Sequence, residues 1–310
     1  MSFSFKQQEK GIALITVMLI LALATILAVS MSSRQQLDIH RSANILNLEQ
    51  AYQYILGAEA WGKQILTRDS QDNKVDSLND DWATILPALP IEGGKMTGRI
   101  EDLQARFNIN NLVQNGKTQK LYVDRFKRLL RNLELNEDIS LVIIDWLDAD
   151  EETGFSGAED NEYLNLSPAY RTANQAMHDV SELLLVKNID FATYEKLRPF
   201  VCVLQSETAI NVNTASAEVL SSIVKDLSLE DAKSLVEDRN KETYEKVDDF
   251  IQHPLLKQKK VEKDGLSVST QYFQLSSTTQ IERVNVEYLS VLYRDNEGRV
   301  NILSRNRGVM

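Results

Sequence analysis

The sequence predicts an α+β protein: a long N-terminal helix, partly transmembrane, packed on a small antiparallel sheet that a large helical insertion interrupts. Three observations predict it. Residues 12–31 form an uncharged apolar run without Gly or Pro, and the helical pattern continues beyond it to about Thr67. Strand-like alternation occurs near 95–112 and returns from Ser267 onward. Between those stretches the periodicity is helical, from Gln119 to roughly Lys259. Strand, helices, strand is the order expected when a helical domain interrupts one sheet.

The apolar run has 20 residues. At a rise of about 1.5 Å per residue it covers roughly 30 Å, one bilayer hydrocarbon core. Its polar groups are the hydroxyls of Thr16, Thr25 and Ser30, which can bond back to the helix's own carbonyls. A secretory signal has a shorter apolar region that ends at a small-residue cleavage site. This run goes on instead into a second, soluble helical stretch. Lys6 and Lys10 lie on its short side, so the N-terminus is expected in the cytoplasm and the rest across the membrane, in the periplasm of a bacterium.

After Arg34, Ile45, Leu48, Tyr52 and Ile55, with Ala51, Ala58 and Ile65, mark one helical face. That face is expected to lie on a globular head. Thr67 to Gly94 reads as loop, with a short helical piece around Trp82 to Leu86. Lys95 to Leu112 alternates at Ile100, Phe107 and Ile109 and reads as one or two strands. Leu121, Phe126, Leu129, Leu130 and Leu133 mark the first inserted helix. Ile139 to Leu147 marks the next, with Asn136 or Asp138 to cap it. Further helical segments are expected at Met177–Val186 and Phe191–Val203, then strands at Ser267–Thr278, Val284–Tyr293 and Arg299–Ser304.

The 310 residues, 43% hydrophobic and 25% charged, suffice for one large core or two modest ones. A net charge of −11 repels phosphate backbones and argues against nucleic acid as a ligand. Cys202 is the sole cysteine; it allows no intrachain disulfide and reads as a small buried hydrophobe. The chain has no Gly-x-Ser-x-Gly, no His-Glu-x-x-His and no phosphate loop. His40, His178 and His253 are scattered. The composition therefore points away from an enzyme.

Eight carboxylates fall within the eighteen residues from Asp145 to Glu162, and no Lys or Arg lies among them. Unneutralised acids at this density repel one another, so either solvent screens them or a cation gathers them. Asp148, Asp150 and Glu152 alternate and can turn oxygens to one centre, and Glu159 sits where a bidentate ligand would close a calcium loop. A calcium loop of the helix–loop–helix kind wants Gly at its sixth position, where this chain has Thr153 and places Gly154 one residue late. With oxygen ligands alone, Ca²⁺ is favoured over Zn²⁺ or Cu²⁺.

Ile210 to Leu220 resembles the opening of a helix-hairpin-helix, or SAM-like, unit spanning 209–256. Thr214 or Asn213 is expected to cap its helix, with Ala215, Val219 and Ile223 facing inward. The hairpin has no Gly and carries Asp226, Glu230 and Asp231, which would face phosphates. The fold is expected here without DNA binding.

A short basic leader ending in Gly11, directly before an apolar helix, resembles the leader of type IV pilins and pseudopilins. The resemblance implies cleavage between Gly11 and Ile12 by a prepilin peptidase and N-methylation of Ile12. Most members carry Glu at the fifth mature position, here Thr16. Its absence, the phrase from Asp102 to Leu112, Asp145-Trp-Leu-Asp148-Ala-Asp150, Gly157-Ala-Glu159-Asp160 and Pro168-Ala-Tyr-Arg171 resemble the K-type minor pseudopilins of type II secretion, over nearly the whole chain. The resemblance implies a pilin fold: leader 1–11, spine helix 12–67, a head from 68–114 and 266–310, and an all-α insertion at 115–265. It implies structural Ca²⁺ held mainly by Asp148, Asp150, Glu159 and Asp160, with Asp145 and Glu152 secondary. It also implies a non-enzymatic subunit at the pseudopilus tip, in the bacterial inner membrane, with I- and J-type minor pseudopilins, other pseudopilins and the secretion platform as partners. The rival expectation is an uncleaved, membrane-anchored, calcium-binding periplasmic enzyme or adhesin.

Overall fold

A computed structural model describes residues 9–85 and 87–308, with side chains from Ile12 onward. The leader up to residue 8 lies outside the described residues, as does Leu86. Helix α1 runs unbroken from Glu9 to Asp72, 64 residues and roughly 96 Å. It extends five residues past the expected Thr67. It is the one helix among the described residues long and apolar enough to cross a membrane. Every residue from Ile12 to Arg41 is exposed, so this half of the helix packs against no other element among the described residues.

Burial against the head begins only at Ala51. Ala51, Ile55, Ala58 and Leu66 are buried, whereas Ile45 is 60% exposed, so the stripe expected from Ile45 meets the head one turn and a half late. After α1, a 3-10 turn at Asp81–Ala83 drives Trp82 into the head core, edge-on to Phe273 at 5.2 Å. Strands β1 (Leu89–Ile91) and β2 (Gly94–Asp102) form a hairpin. β1 lies in a stretch expected to be loop. Its Pro90 confines it to a sheet edge.

Beyond β2 come two-residue strands β3 (Phe107–Asn108), β4 (Val113–Gln114) and β5 (Lys117–Thr118). Helices α2 (Lys120–Asn132), α3 (Ile139–Leu147), α4 (Asp160–Tyr163) and α5 (Phe191–Leu197) follow. Strands β6 (Val201–Cys202) and β7 (Ile210–Asn211) precede α6 (Ala217–Ile223), α7 (Leu229–Lys241) and α8 (Val247–Ile251). The chain returns through β8 (Leu266–Ser267) to β9 (Tyr272–Ile281), β10 (Val284–Arg294) and β11 (Val300–Arg307).

The main sheet is antiparallel, in the order β1-β2-β9-β10-β11. β2 pairs directly with β9, Gly94 opposite Ile281 and Asp102 opposite Phe273. The whole insertion therefore loops out between two adjacent strands. It is not purely helical: β3 pairs β6 and β7 pairs β8 as short parallel ladders. Its core takes in Phe107, Ile109 and Leu112 at one end and Leu266 at the other. The helical body thus reaches outside 115–265 at both ends.

Two expected helices are shorter than their apolar pattern. Met177–Val186 holds a 3-10 turn at Val180–Leu185. Phe191–Val203 stops at Leu197 because Pro199 cannot continue it, and β6 follows. Asp138 stands at the start of α3 without a side-chain cap bond. Ser216, rather than Thr214 or Asn213, caps α6. Thr214 donates instead to Asp102 Oδ2 (2.6 Å), and Asn213 exchanges bonds with the backbone of Tyr244. Ala215, Val219 and Ile223 are buried as their spacing requires. Asp226 and Glu230 are exposed at the hairpin. Cys202 is 2% exposed, and burial pushes its thiol up to about 12, which suits a packing residue.

The body joins the head at one pole. Asp102, at the end of β2, accepts from Gln104, Thr270, Asn211 and Thr214. Asp76, four residues past α1, accepts from the Thr270 N–H and both its oxygens receive Arg294 Nη2. Asn211 Nδ2 also reaches the Asp76 carbonyl at 3.0 Å. The helical body therefore sits at the C-terminal end of α1, the end away from the apolar half.

Candidate metal centre

Helix α3 is almost wholly buried, and Asp145 is its one acid, 4% exposed. The loop after α3 folds back over that carboxylate. The Gly154 N–H donates to Asp145 Oδ2 at 3.0 Å, and the Ala158 N–H also bonds the group. A Cβ on Gly157 would stand 1.8 Å from Asp145 Oδ2, so only glycine allows the backbone this close. Asp145 anchors the loop.

Held this way, the loop brings one oxygen each from Asp148, Asp150 and Glu159 within 4.8 Å of one another. Asp148 caps α3 in extended conformation, and Glu159 stands before α4 with only 2% of its surface exposed. Trp146, Tyr163 and Tyr170 pack beside them, with Trp146 edge-on to Tyr163 at 5.2 Å. Burial, reinforced by the neighbouring acids, pushes Asp148 up to about 6 and Glu159 up to about 7. Burial raises Asp145 as well.

Asp160 and Glu152 do not join this cluster. Asp160 turns to Thr172, accepting from its N–H (3.0 Å) and Oγ1 (2.8 Å), and lies 3.5 Å from Arg171. The Thr172 bonds hold its carboxyl below the usual range. Glu152 is exposed and contributes its N–H to Asp150 Oδ1 at 2.9 Å. Asn174, which sequence reasoning passed over, lies beside Asp150: its Nδ2 donates to the Asp150 carbonyl at 3.4 Å. No spacing rule marks it, because it stands 12 residues beyond the acidic stretch.

The fit of a cation is tested by unmet oxygens. Among the described residues, the buried side-chain atoms that can only accept a hydrogen bond and receive none are Asp148 Oδ1, both carboxylate oxygens of Glu159 and Asn174 Oδ1. Buried acceptors are ordinarily met. Four unmet ones around converging carboxylates suit a hard, oxygen-preferring cation such as Ca²⁺. A second trio, Asp69, Asp76 and Asp80, also converges. There Arg294 already supplies the positive charge, 2.9 Å from Asp69 and 2.5 Å from Asp76.

Comparison with known proteins covers the same ground. Family models described as type II secretion system, protein K, match residues 105–206 and 210–269, which include the acidic loop and the hairpin unit. The chain is 37% identical to type II secretion system protein K of Pseudomonas aeruginosa, over 98% of this chain and 94% of that one. It is 31% identical to the protein K of Aeromonas hydrophila, over 97% and 98%. Its fold is similar to a chain in the crystal structure of the GspK-GspI-GspJ complex from enterotoxigenic Escherichia coli. The TM-score is 0.79 at 28% identity, covering 87% of this chain and 100% of that one. With its apolar spine, five-stranded head and interposed helical body, the chain belongs to the type II secretion system protein K family, the K-type minor pseudopilins.

Proposed function

We propose that this pseudopilin is the tip subunit of the pseudopilus, starting and capping the fibre through which folded proteins are driven across the outer membrane. One observation carries the reading: the helical body sits at the C-terminal pole of α1, where Asp76, Asp102, Asn211 and Thr270 tie it down. In a fibre whose spine helices run lengthwise, that pole faces the next subunit. A body with the larger of the two cores leaves no room for a subunit above it. The role is structural, without catalysis.

The exposed face of α1 from Ile12 to Arg41 is the part that enters first the membrane and then the fibre core, packing against other helices. Thr16 supports the tip assignment. Its hydroxyl lies 2.9 Å from the Ala13 carbonyl and needs no partner in a neighbour, whereas a Glu there would demand one. Lys6 and Lys10 favour a cytoplasmic N-terminus, with cleavage by prepilin peptidase between Gly11 and Ile12 and methylation of Ile12. I- and J-type pseudopilins are the expected partners, as the related GspK chain was crystallised with GspI and GspJ. Other pseudopilins and the inner-membrane platform complete the set.

Ca²⁺ is the structural ion of the loop. Asp148, Asp150 and Glu159 would hold it; Asp145 fixes the loop's fold, and Asp160 and Glu152 brace its flanks. When bound, the ion supplies the positive charge these carboxylates otherwise lack. The test is co-purification: full-length chain in detergent, co-expressed with I- and J-type subunits, should elute as one ternary complex. An I–J pair that forms while this chain elutes alone would refute the assignment.

A further inference from the structure

We infer that Asn174 is a ligand of the loop's calcium ion, brought in from outside the acidic stretch, and that the ion thereby pins the segment around 172–177 to the helical body. The inference rests on the calcium reading above. Asn174 has φ of +47°, a left-handed conformation that Asn tolerates better than most residues. Its amide is fixed at one end, where Nδ2 meets the Asp150 carbonyl. The other end, Oδ1, is buried and receives nothing.

Every other buried acceptor-only atom left unmet belongs, among the described residues, to Asp148 or Glu159, two of the three converging carboxylates. The third is Asp150, the residue Asn174 touches. A neutral amide oxygen is an ordinary calcium ligand. It adds coordination without adding charge to acids that burial already holds in the protonated direction.

The position gives the ligand a consequence. Two residues before it, Thr172 is held by Asp160. Three residues after it, Met177 is held by Asn110 through both its N–H and its carbonyl, each at 2.9 Å, and by Gln205 at 2.8 Å. Asn174 is the midpoint of this segment, and the ion is its third fastening. Calcium occupancy is thus communicated to Asn110, which also bonds the Leu204 carbonyl in the body's interior.

The test uses the full-length chain in detergent with calcium chloride as the probe. N174G removes the amide while allowing the positive φ; N174D restores an oxygen there. N174G should bind calcium about tenfold or more weakly by calorimetry, a loss of the size seen on disturbing metal sites, with unchanged melting in chelator. N174D should bind at least as tightly as the wild type. Calcium should slow amide exchange across 171–177 in the wild type and not in N174G. Equal calcium binding by N174G and wild type overturns the assignment alone. So does a melting point lowered equally with and without calcium, which would reduce Asn174 to its bond with Asp150. A wild-type chain that takes up no calcium overturns the underlying reading with it.

Discussion

Removing calcium from the full-length protein should lower the melting temperature of the helical body by roughly 5–10 °C, and by more at alkaline than at acidic pH. The three carboxylates lie within 4.8 Å of one another. At an effective dielectric near 20, each fully ionised pair at that distance repels by about 3.5 kcal/mol. Without an ion the fold favours the protonated forms: burial first, and the neighbouring acids second, push Asp148 up to about 6 and Glu159 up to about 7. Their folded values lie above the unfolded ones, so this contribution is fully present below about pH 4 and is lost as pH rises through 6 to 7. Calcium needs the ionised oxygens, so protons compete with it across the same window and the gap between the two forms widens with pH. Calcium at about a hundred times its dissociation constant adds about 2.7 kcal/mol. In a domain of this size each kcal/mol moves the transition by about 2–4 °C. Scanning calorimetry in chelator and in about 1 mM calcium, at several values between about pH 5 and 8, reads the effect. E159Q should abolish the response to calcium while raising stability in chelator near pH 8. A transition unmoved by chelation, or moved equally at every pH, would refute the reasoning.

G157A should collapse the loop, because its methyl group would lie 1.8 Å from Asp145 Oδ2; calcium affinity by calorimetry should fall by at least about tenfold, as for other disturbed metal sites. R294A should cost about 3–5 kcal/mol in urea denaturation, since it strands Asp69 and Asp76 in the head interior. Burial already pushes Asp69 up to about 6 and raises Asp76. Without the guanidinium both hold protons more strongly still, so the variant's deficit should shrink as pH falls toward about 6 and level off below it. Mass spectrometry of membrane-extracted protein should find a mature chain beginning at N-methylated Ile12. An intact leader would favour the anchored enzyme or adhesin instead.

The spine helix and β9 to β11 were legible because each carries one unbroken period, 3.6 or 2, over many residues. The strand ends moved by a few residues, while the one or two strands expected at 95–112 resolved into β2 and the two-residue β3, with 3-10 turns at Leu103–Ala105 and Ile109–Leu112. β1 was not legible: three residues with a central proline carry no period. Ile45 fits the stripe yet stays 60% exposed, because a 3.6-residue period marks a helical face without saying how far along it the head reaches. In the acidic stretch, charge density and alternation singled out Asp148, Asp150 and Glu159, which converge, but gave no means of separating them from Asp160 and Glu152, which do not. Asp148, Asp150 and Glu159 converge through the backbone turn that Asp145 and Gly157 impose. Asp160 leaves the cluster for Thr172, a partner 12 residues away. Asn174 enters through a left-handed backbone conformation that no periodicity announces.

The central claim is that the helical body ends the fibre. Labelling a tag on that body in assembled pseudopili and imaging them by electron microscopy tests it most directly. Label is expected at one end of each fibre and none along its length. Label repeating at intervals along the fibre would contradict it.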